Sequence, residues 1–286
     1  MRRAAPLPVR DGLGPARVRL HGGPVLAELE SRLGEQARAK VLGGEVVCAD
    51  GVAVTGTTVL PPGAHVYFYR ELRDEVPVPF DIPVLYRDDD IVVVDKPHFL
   101  ATMPRGRHVA QTALMRLRRE LDLQELSPAH RLDRLTAGVL LFTTRREIRG
   151  AYQTLFARGL VQKTYLARAA VNSDLELPRL VRSRIIKRRG LLQAVEEPGE
   201  PNAETMIEHL GDGHYRLTPR SGRTHQLRVH MASLGLPIHG DQLYPNVISV
   251  APDDFSRPLQ LLAHSIEFDH PTGGCRRRFV SRRMLG

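Results

Sequence analysis

The 286 residues suffice for one large domain or for a catalytic domain with a small module, and a hydrophobic content of 42% supplies a sizeable core, which excludes wholesale disorder. Lys and Arg number 41 against 32 Asp and Glu, a net charge of +9 that favours an anionic partner without bearing on the fold. Cys48 and Cys275 form no CxxC pattern, which excludes a disulfide framework and a Cys-rich zinc site, and no apolar run reaches the ~18 residues of a membrane helix.

Only Lys40, Lys96, Lys163 and Lys187 among the basic residues are lysines. Such an Arg bias also follows from genome composition, yet the arginine fork suits phosphate. Arg2 and Arg3 have no apolar stretch behind them, and Pro6 and Pro8 interrupt any helix there. Neither a secretory signal nor a transit peptide is expected, and a soluble cytoplasmic protein is. Residues 1–80 carry 10 basic and 9 acidic side chains against 31 and 23 in residues 81–286, so the excess lies in the larger part.

In chain order, Val25 to Lys40 reads as one helix, with Leu26, Leu29, Leu33 and Ala37 on one face. A strand from Glu45 to Cys48 follows, then an Asp50-Gly51 turn into Val52 to Val59 and a strand over His65 to Tyr69. Prolines 77, 79 and 83 mark an extended linker, which sets domains at 1–80 and 81–286. Beyond it come a strand at Asp90 to Asp95, a basic helix at Gln111 to Leu121, a buried strand at Val139 to Thr143 and a helix at Ile148 to Arg158. A strand at Tyr165 to Val171 and a helix around His225 to Leu234 complete the pattern. Strands and helices do not alternate regularly, so an α+β architecture is expected over a doubly wound sheet.

Two stretches carry chemistry. In His130-Arg131-Leu132-Asp133-Arg134 a carboxylate stands between two arginines, which favour its ionised form. Asp133 then serves as a nucleophile or charge stabiliser, or it is a loop carboxylate tied to Arg131 or Arg134. In Gly222-Arg223-Thr224-His225-Gln226-Leu227-Arg228, Thr224 is a candidate helix N-cap and shares a face with Arg228. These groups converge on a cleft or form a solvated basic helix.

Residues 83–274 resemble the RluA-type pseudouridine synthases. The resemblance rests on Val94-Asp95-Lys96-Pro97, His130-Arg131-Leu132-Asp133, Lys163-Thr164-Tyr165-Leu166-Ala167, Gly222 to His230, Pro237-Ile238-His239-Gly240-Asp241, and Leu262-Ala263-His264 with His270-Pro271. It implies a mixed, mainly antiparallel β-sheet with flanking helices and a central RNA-binding cleft. It implies Asp133 as the catalytic carboxylate, Arg228 as its partner, and Tyr165 as a ring that packs on uracil and assists deprotonation at C5. Arg131 matches the arginine that helps turn the nucleotide out, while Arg134, Arg223, His225, Lys96 and Lys163 are expected to contact RNA. The reaction isomerises uridine in ribosomal or transfer RNA, with no metal, no organic cofactor, no DNA and no membrane, and with a monomer as the family's usual state.

Two positions depart from the family: Ala137 stands where Ser is usual, and His98-Phe99 where small residues are. Both bear on substrate identity. Residues 1–80 bear a faint resemblance to the S4 RNA-binding module; their near-neutral charge offers little phosphate grip, so a scaffold or lid without RNA contact is the alternative reading. Seven histidines lie between His209 and His270, yet His225 and His230 are five apart and do not stack as HExxH ligands do. Within an RNA enzyme the runs Arg182 to Arg189 and Arg276 to Arg283 are expected to meet phosphates, and Leu192 and Met206 are expected in the core.

Overall fold

The computed structural model describes residues 6–10, 12–71, 74–106, 108–271 and 273–286. The chain divides into two compact units, Met1–Asp74 and Glu75–Gly286.

The first unit holds β1 (Ala16–Arg19), β2 (Gly23–Pro24), α1 (Val25–Leu33), α2 (Glu35–Leu42), β3 (Val47–Cys48), β4 (Val59–Leu60) and β5 (His65–Phe68). Strands β1, β5 and β3 form one small sheet and β2 pairs β4. Val25, Leu29, Val41 and Val66 are among its buried residues. The single helix expected over Val25 to Lys40 is two helices. Gly34 adopts φ 78° between them, a left-handed conformation that ends α1 and that glycine tolerates. The strand expected over Val52 to Val59 shrinks to β4, because Thr55 and Thr58 turn the chain through their own hydroxyls.

The second unit contains β6 (Val84–Arg87), β7 (Ile91–Lys96), α3 (Ala113–Glu120), β8 (Ser127–Pro128), β9 (Ala137–Thr143), α4 (Arg146–Ala157), β10 (Gln162–Arg168), β11 (Arg179–Ile186), β12 (Val195–Glu197), β13 (Ala203–Gly211), β14 (His214–Pro219), α5 (Gln226–Ser233), β15 (Leu261–Asp269) and β16 (Arg276–Val280). All its strands join one eleven-stranded sheet, in the order β12-β11-β13-β14-β10-β15-β9-β7-β6, with β16 on β15 and β8 on β9. Every pairing is antiparallel except β15 with β9. The class is α+β, as expected. Strand β9 is buried along its whole length, which its uninterrupted apolar run requires.

The proline-rich stretch after residue 75 is extended, yet it is packed down and does not hang free. Arg116 donates to the carbonyls of Val78 and Phe80, the Glu75 carboxylate accepts the backbone N–H groups of Val109, Ala110 and Gln111, and Ile82 is buried. Among the described residues no helix is long and apolar enough to cross a membrane.

Candidate active site

The sheet lays the site out along one cross-strand row. Gly138 at the start of β9 lies opposite Ala263 of β15, and Ala263 lies opposite Tyr165 of β10. A register shift between Thr164 and Tyr165 is the kind of irregularity that redirects a side chain at a functional site. Gly138 has φ 112°, and a Cβ there would lie 2.2 Å from the Ala263 carbonyl oxygen. This close approach brings the β8–β9 loop, with Asp133, beside Tyr165.

Helix α5 supplies the other wall. Arg228 is buried and donates from Nε and Nη2 to the two oxygens of Asp241, at 2.8 and 2.6 Å. Its Nη1 is 3.6 Å from Asp133 Oδ2. Asp241 in turn accepts the backbone N–H groups of Leu243 and Tyr244. One fixed guanidinium therefore links a fully buried carboxylate to a cleft carboxylate. Such a bidentate pair orients Arg228 more than it adds net stability.

His225 also faces Asp133, with Nε2 4.0 Å from Oδ2, while its Nδ1 lies 2.9 Å from the Tyr244 hydroxyl. Burial lowers the His225 pKa. Asp133 opposes the shift, while Arg228 and Lys187 add to it. Burial, then the Asp133 charge, pushes the Tyr165 phenol far above its ordinary value, so that ring is neutral.

Asp133, Arg131, Arg134, Lys163, Tyr165, Arg223, His225 and Arg228 all border one cleft of about 670 Å³, a volume suited to a nucleotide-sized ligand. A carboxylate, a fixed cation, a neutral aromatic ring and several further cations share this space. The set fits chemistry on a flipped, negatively flanked base.

The sequence profile of RNA pseudouridylate synthases matches residues 90–233. A dual-specificity RNA pseudouridine synthase, RluA, of Salmonella typhi is 34% identical over 203 residues, which cover 67% of this chain and 88% of the relative. This chain belongs to the RNA pseudouridylate synthase family. A mitochondrial tRNA pseudouridine(32) synthase of Saccharomyces cerevisiae is 32% identical over 232 residues, covering 77% of this chain and 49% of the relative. In fold, the synthase is similar to human RNA pseudouridylate synthase domain containing 1, with a TM-score of 0.56 at 23% identity over 71% of this chain and 84% of that one.

Several expected site residues take other positions or partners in the synthase. Lys96 does not reach the cleft. It is fully buried, and its ammonium donates to the carbonyls of Pro97, Leu100 and Arg134, so it clamps the loop that carries Asp133 and has no surface to offer RNA. Lys163 does border the cleft, where its ammonium donates to the Ser221 carbonyl at 2.8 Å. Thr224 lies outside α5, whose N-cap is His225 in a left-handed conformation, φ 60° and ψ 14°, without a capping side chain. Gln226 takes over the local hydrogen bonding through Ser221, Arg223, Glu204 and Thr205.

In each basic run part of the charge is paired with acids. Arg182 meets Glu204, Arg188 meets Glu197, Arg276 meets Glu267 and Asp269, and Arg283 meets Asp95. Leu192, expected in the core, is exposed and borders the cleft with Leu191. Asp241 and Tyr244 had no assigned role in the sequence. Asp241 closes a motif already singled out, whereas only the fold brings Tyr244 to His225.

Proposed function

We propose that this synthase converts particular uridines to pseudouridine in large-subunit ribosomal RNA, transfer RNA or both, with Asp133 as the carboxylate that acts on the target nucleotide. The observation that carries this reading is the pairing of Asp133 with Arg228, itself anchored by Asp241, inside a cation-lined cleft. Relatives named for dual-specificity RNA and for transfer RNA support the substrate class.

The reaction breaks the bond from uracil N1 to ribose C1′ and forms one from C5 to C1′. A proton leaves C5 and another is gained at N1, so nothing is oxidised. Asp133 attacks C1′ or C6, or takes the proton at C2′, and Arg228 holds its carboxylate in place for each of these steps. Tyr165 offers a face for the flipped ring. Arg131, Arg134, Arg223 and Lys163 meet the flanking phosphates, and Arg131 fills the gap left in the stack.

Tritium release from RNA labelled at uridine C5 tests the assignment. Wild-type protein is expected to release the label and Asp133→Asn to release none while binding RNA nearly as well. Comparable turnover by Asp133→Asn refutes the role of Asp133, and appearance of free uracil instead of pseudouridine refutes the reaction.

A further inference from the structure

The hydroxyl of Tyr244 joins two parts of the second unit that no sequence motif connects. Residues 187–194 carry the chain from β11 to β12, and Lys187, Leu191 and Leu192 among them border the cleft that holds Asp133. The two leucines are 51% and 62% exposed, so this loop offers RNA an apolar rim beside its lysine. Its far end is pinned. Buried Ala194 gives its N–H to the Tyr244 hydroxyl at 2.7 Å, and the Ala194 carbonyl accepts the hydroxyl proton at 2.8 Å. Gln193 Nε2 donates to the Leu243 carbonyl and, at 3.2 Å, to that of Pro245.

The residues that pin the loop are also fastened to the Asp133 site. Asp241 accepts the Leu243 and Tyr244 N–H groups while its oxygens hold Arg228, whose Nη1 reaches toward Asp133. The Arg228 guanidinium carbon lies 5.3 Å from the centre of the Tyr244 ring, and His225 Nδ1 is 2.9 Å from its hydroxyl. A phenol has one proton and two lone pairs, so Ala194 and His225 together use the whole capacity of this hydroxyl. The ring itself packs among Ile185, Ala203 and Val229, an apolar site that phenylalanine would fill equally well. Packing therefore accounts for the ring, and only the link between loop and site accounts for the oxygen.

Resting on the reading of Asp133 as the acting carboxylate, we infer that Tyr244 is a positioning residue. Its hydroxyl sets the β11–β12 loop against the Arg228–Asp133 pair, so that RNA seated on the loop presents its flipped uridine where Asp133 acts. Tyr244 does not border the cleft, and it works through Ala194, His225 and Arg228 without touching substrate. Contacts between RNA and the loop then count in the rate as well as in the affinity, because binding energy gained away from the reacting atoms is used to place them.

The test is single-turnover tritium release, with the whole protein in excess over C5-labelled RNA from cells lacking this gene. Rate against protein concentration gives a maximal rate and a half-saturating concentration. Tyr244→Phe is expected to lower the maximal rate at least about 10-fold, as misplacement of a reacting group does, and to raise the half-saturating concentration less than about 3-fold. Leu191→Ser with Leu192→Ser is expected to lower the maximal rate about 5-fold in wild type and less than about 2-fold on top of Tyr244→Phe, since the loop no longer reports to the site. A hydroxyl with a merely structural role would leave the two losses independent, and they would multiply. Gln193→Ala cuts the same link outside the apolar site, with an expected loss of about 3-fold, so misfolding of Tyr244→Phe does not block the test. A wild-type maximal rate in folded Tyr244→Phe or in Gln193→Ala, no rate change from the leucine replacements in wild type, or losses that multiply overturns the role of Tyr244. Absence of tritium release by wild type refutes the proposed reaction instead, and wild-type turnover by Asp133→Asn refutes the role of Asp133.

Discussion

Replacing Asp241 by Asn removes the charge that anchors Arg228 while keeping its shape. Both partners are almost wholly buried, 2% and 1% exposed at their side chains, so the guanidinium left behind is desolvated and half-paired. Removing one member of such a pair costs about 3–5 kcal/mol. Two features reduce the loss: Asn retains an oxygen for the Leu243 and Tyr244 N–H groups, and Arg228 has a second carboxylate 3.6 Å away in Asp133. We therefore expect about 3 kcal/mol in urea unfolding, or a drop in Tm of about 6–12 °C for a domain of this size. Arg228 should then turn toward Asp133, and a shift of about 1 Å at a reacting group costs on the order of 100-fold in rate. Combining Asp241→Leu with Arg228→Met removes both buried charges. That double variant should be more stable than Asp241→Asn and remain inactive. A loss below about 1 kcal/mol with turnover intact would show that Asp241 neither anchors Arg228 nor supports Asp133.

Gly138→Ala should abolish folding of the second unit or cost at least about 4 kcal/mol, because the added Cβ meets the Ala263 carbonyl at 2.2 Å and the φ of 112° is closed to alanine; soluble protein with near-native unfolding midpoints would contradict this. Lys96→Met should remove the donor that the buried Pro97 and Leu100 carbonyls share, at about 1–3 kcal/mol each, and reduce turnover more than RNA affinity, to be read from single-turnover rate against Kd. His98 and His230, each lowered to about 4 by burial, and His130, lowered to about 3 by burial and then by Lys163, are neutral in the folded chain. The unfolded chain therefore binds more protons below pH 6.5, and stability should fall as pH drops, each ring contributing at most about 1.4 kcal/mol per pH unit. Urea midpoints that stay level from pH 7 to pH 5 would refute it. Leu191→Ser with Leu192→Ser, at two exposed cleft positions, should weaken RNA binding while changing stability by less than about 0.5 kcal/mol, as filter binding and unfolding would show.

What the sequence made legible follows from how local each signal is. Strand β9 was readable because its apolar run has no polar interruption, and α3 because Gln111 to Leu121 fits a helix with a basic face, while its Thr112 cap is seen only in the structure. The break at Gly34 was not, since the apolar spacing continues across it. The cleft cations Arg131, Arg134, Lys163 and Arg223 sit where the motifs put them. Lys96 does not, because a lysine that satisfies backbone carbonyls and one that meets phosphate look alike in sequence. The partners of the basic runs depend on strand register: Arg182 stands directly opposite Glu204, a neighbour 22 residues away that no window along the chain reveals.

The same dependence on register explains why so small a set of residues can hold the site. Gly138, Ala263 and Tyr165 occupy one row across β9, β15 and β10, and the parallel β9–β15 pairing requires the backbone contact that only glycine permits. Asp133 follows from the turn that precedes β9, closed by the Thr136 N–H on the Asp133 carbonyl and by the Thr102 hydroxyl on the Leu132 carbonyl. Lys96 and His98, consecutive with β7, fasten the carbonyls of Arg134 and Leu135. Phe99, with φ 65°, packs against Phe80 and Phe255, so a bulky residue bears a left-handed conformation that only glycine adopts without strain. That cost is offset by apolar packing. A rigid sheet thus fixes the carboxylate loop from both sides, and the functional groups that vary in partner, Arg228 and His225, arrive on one helix whose first turn is locked by Gln226.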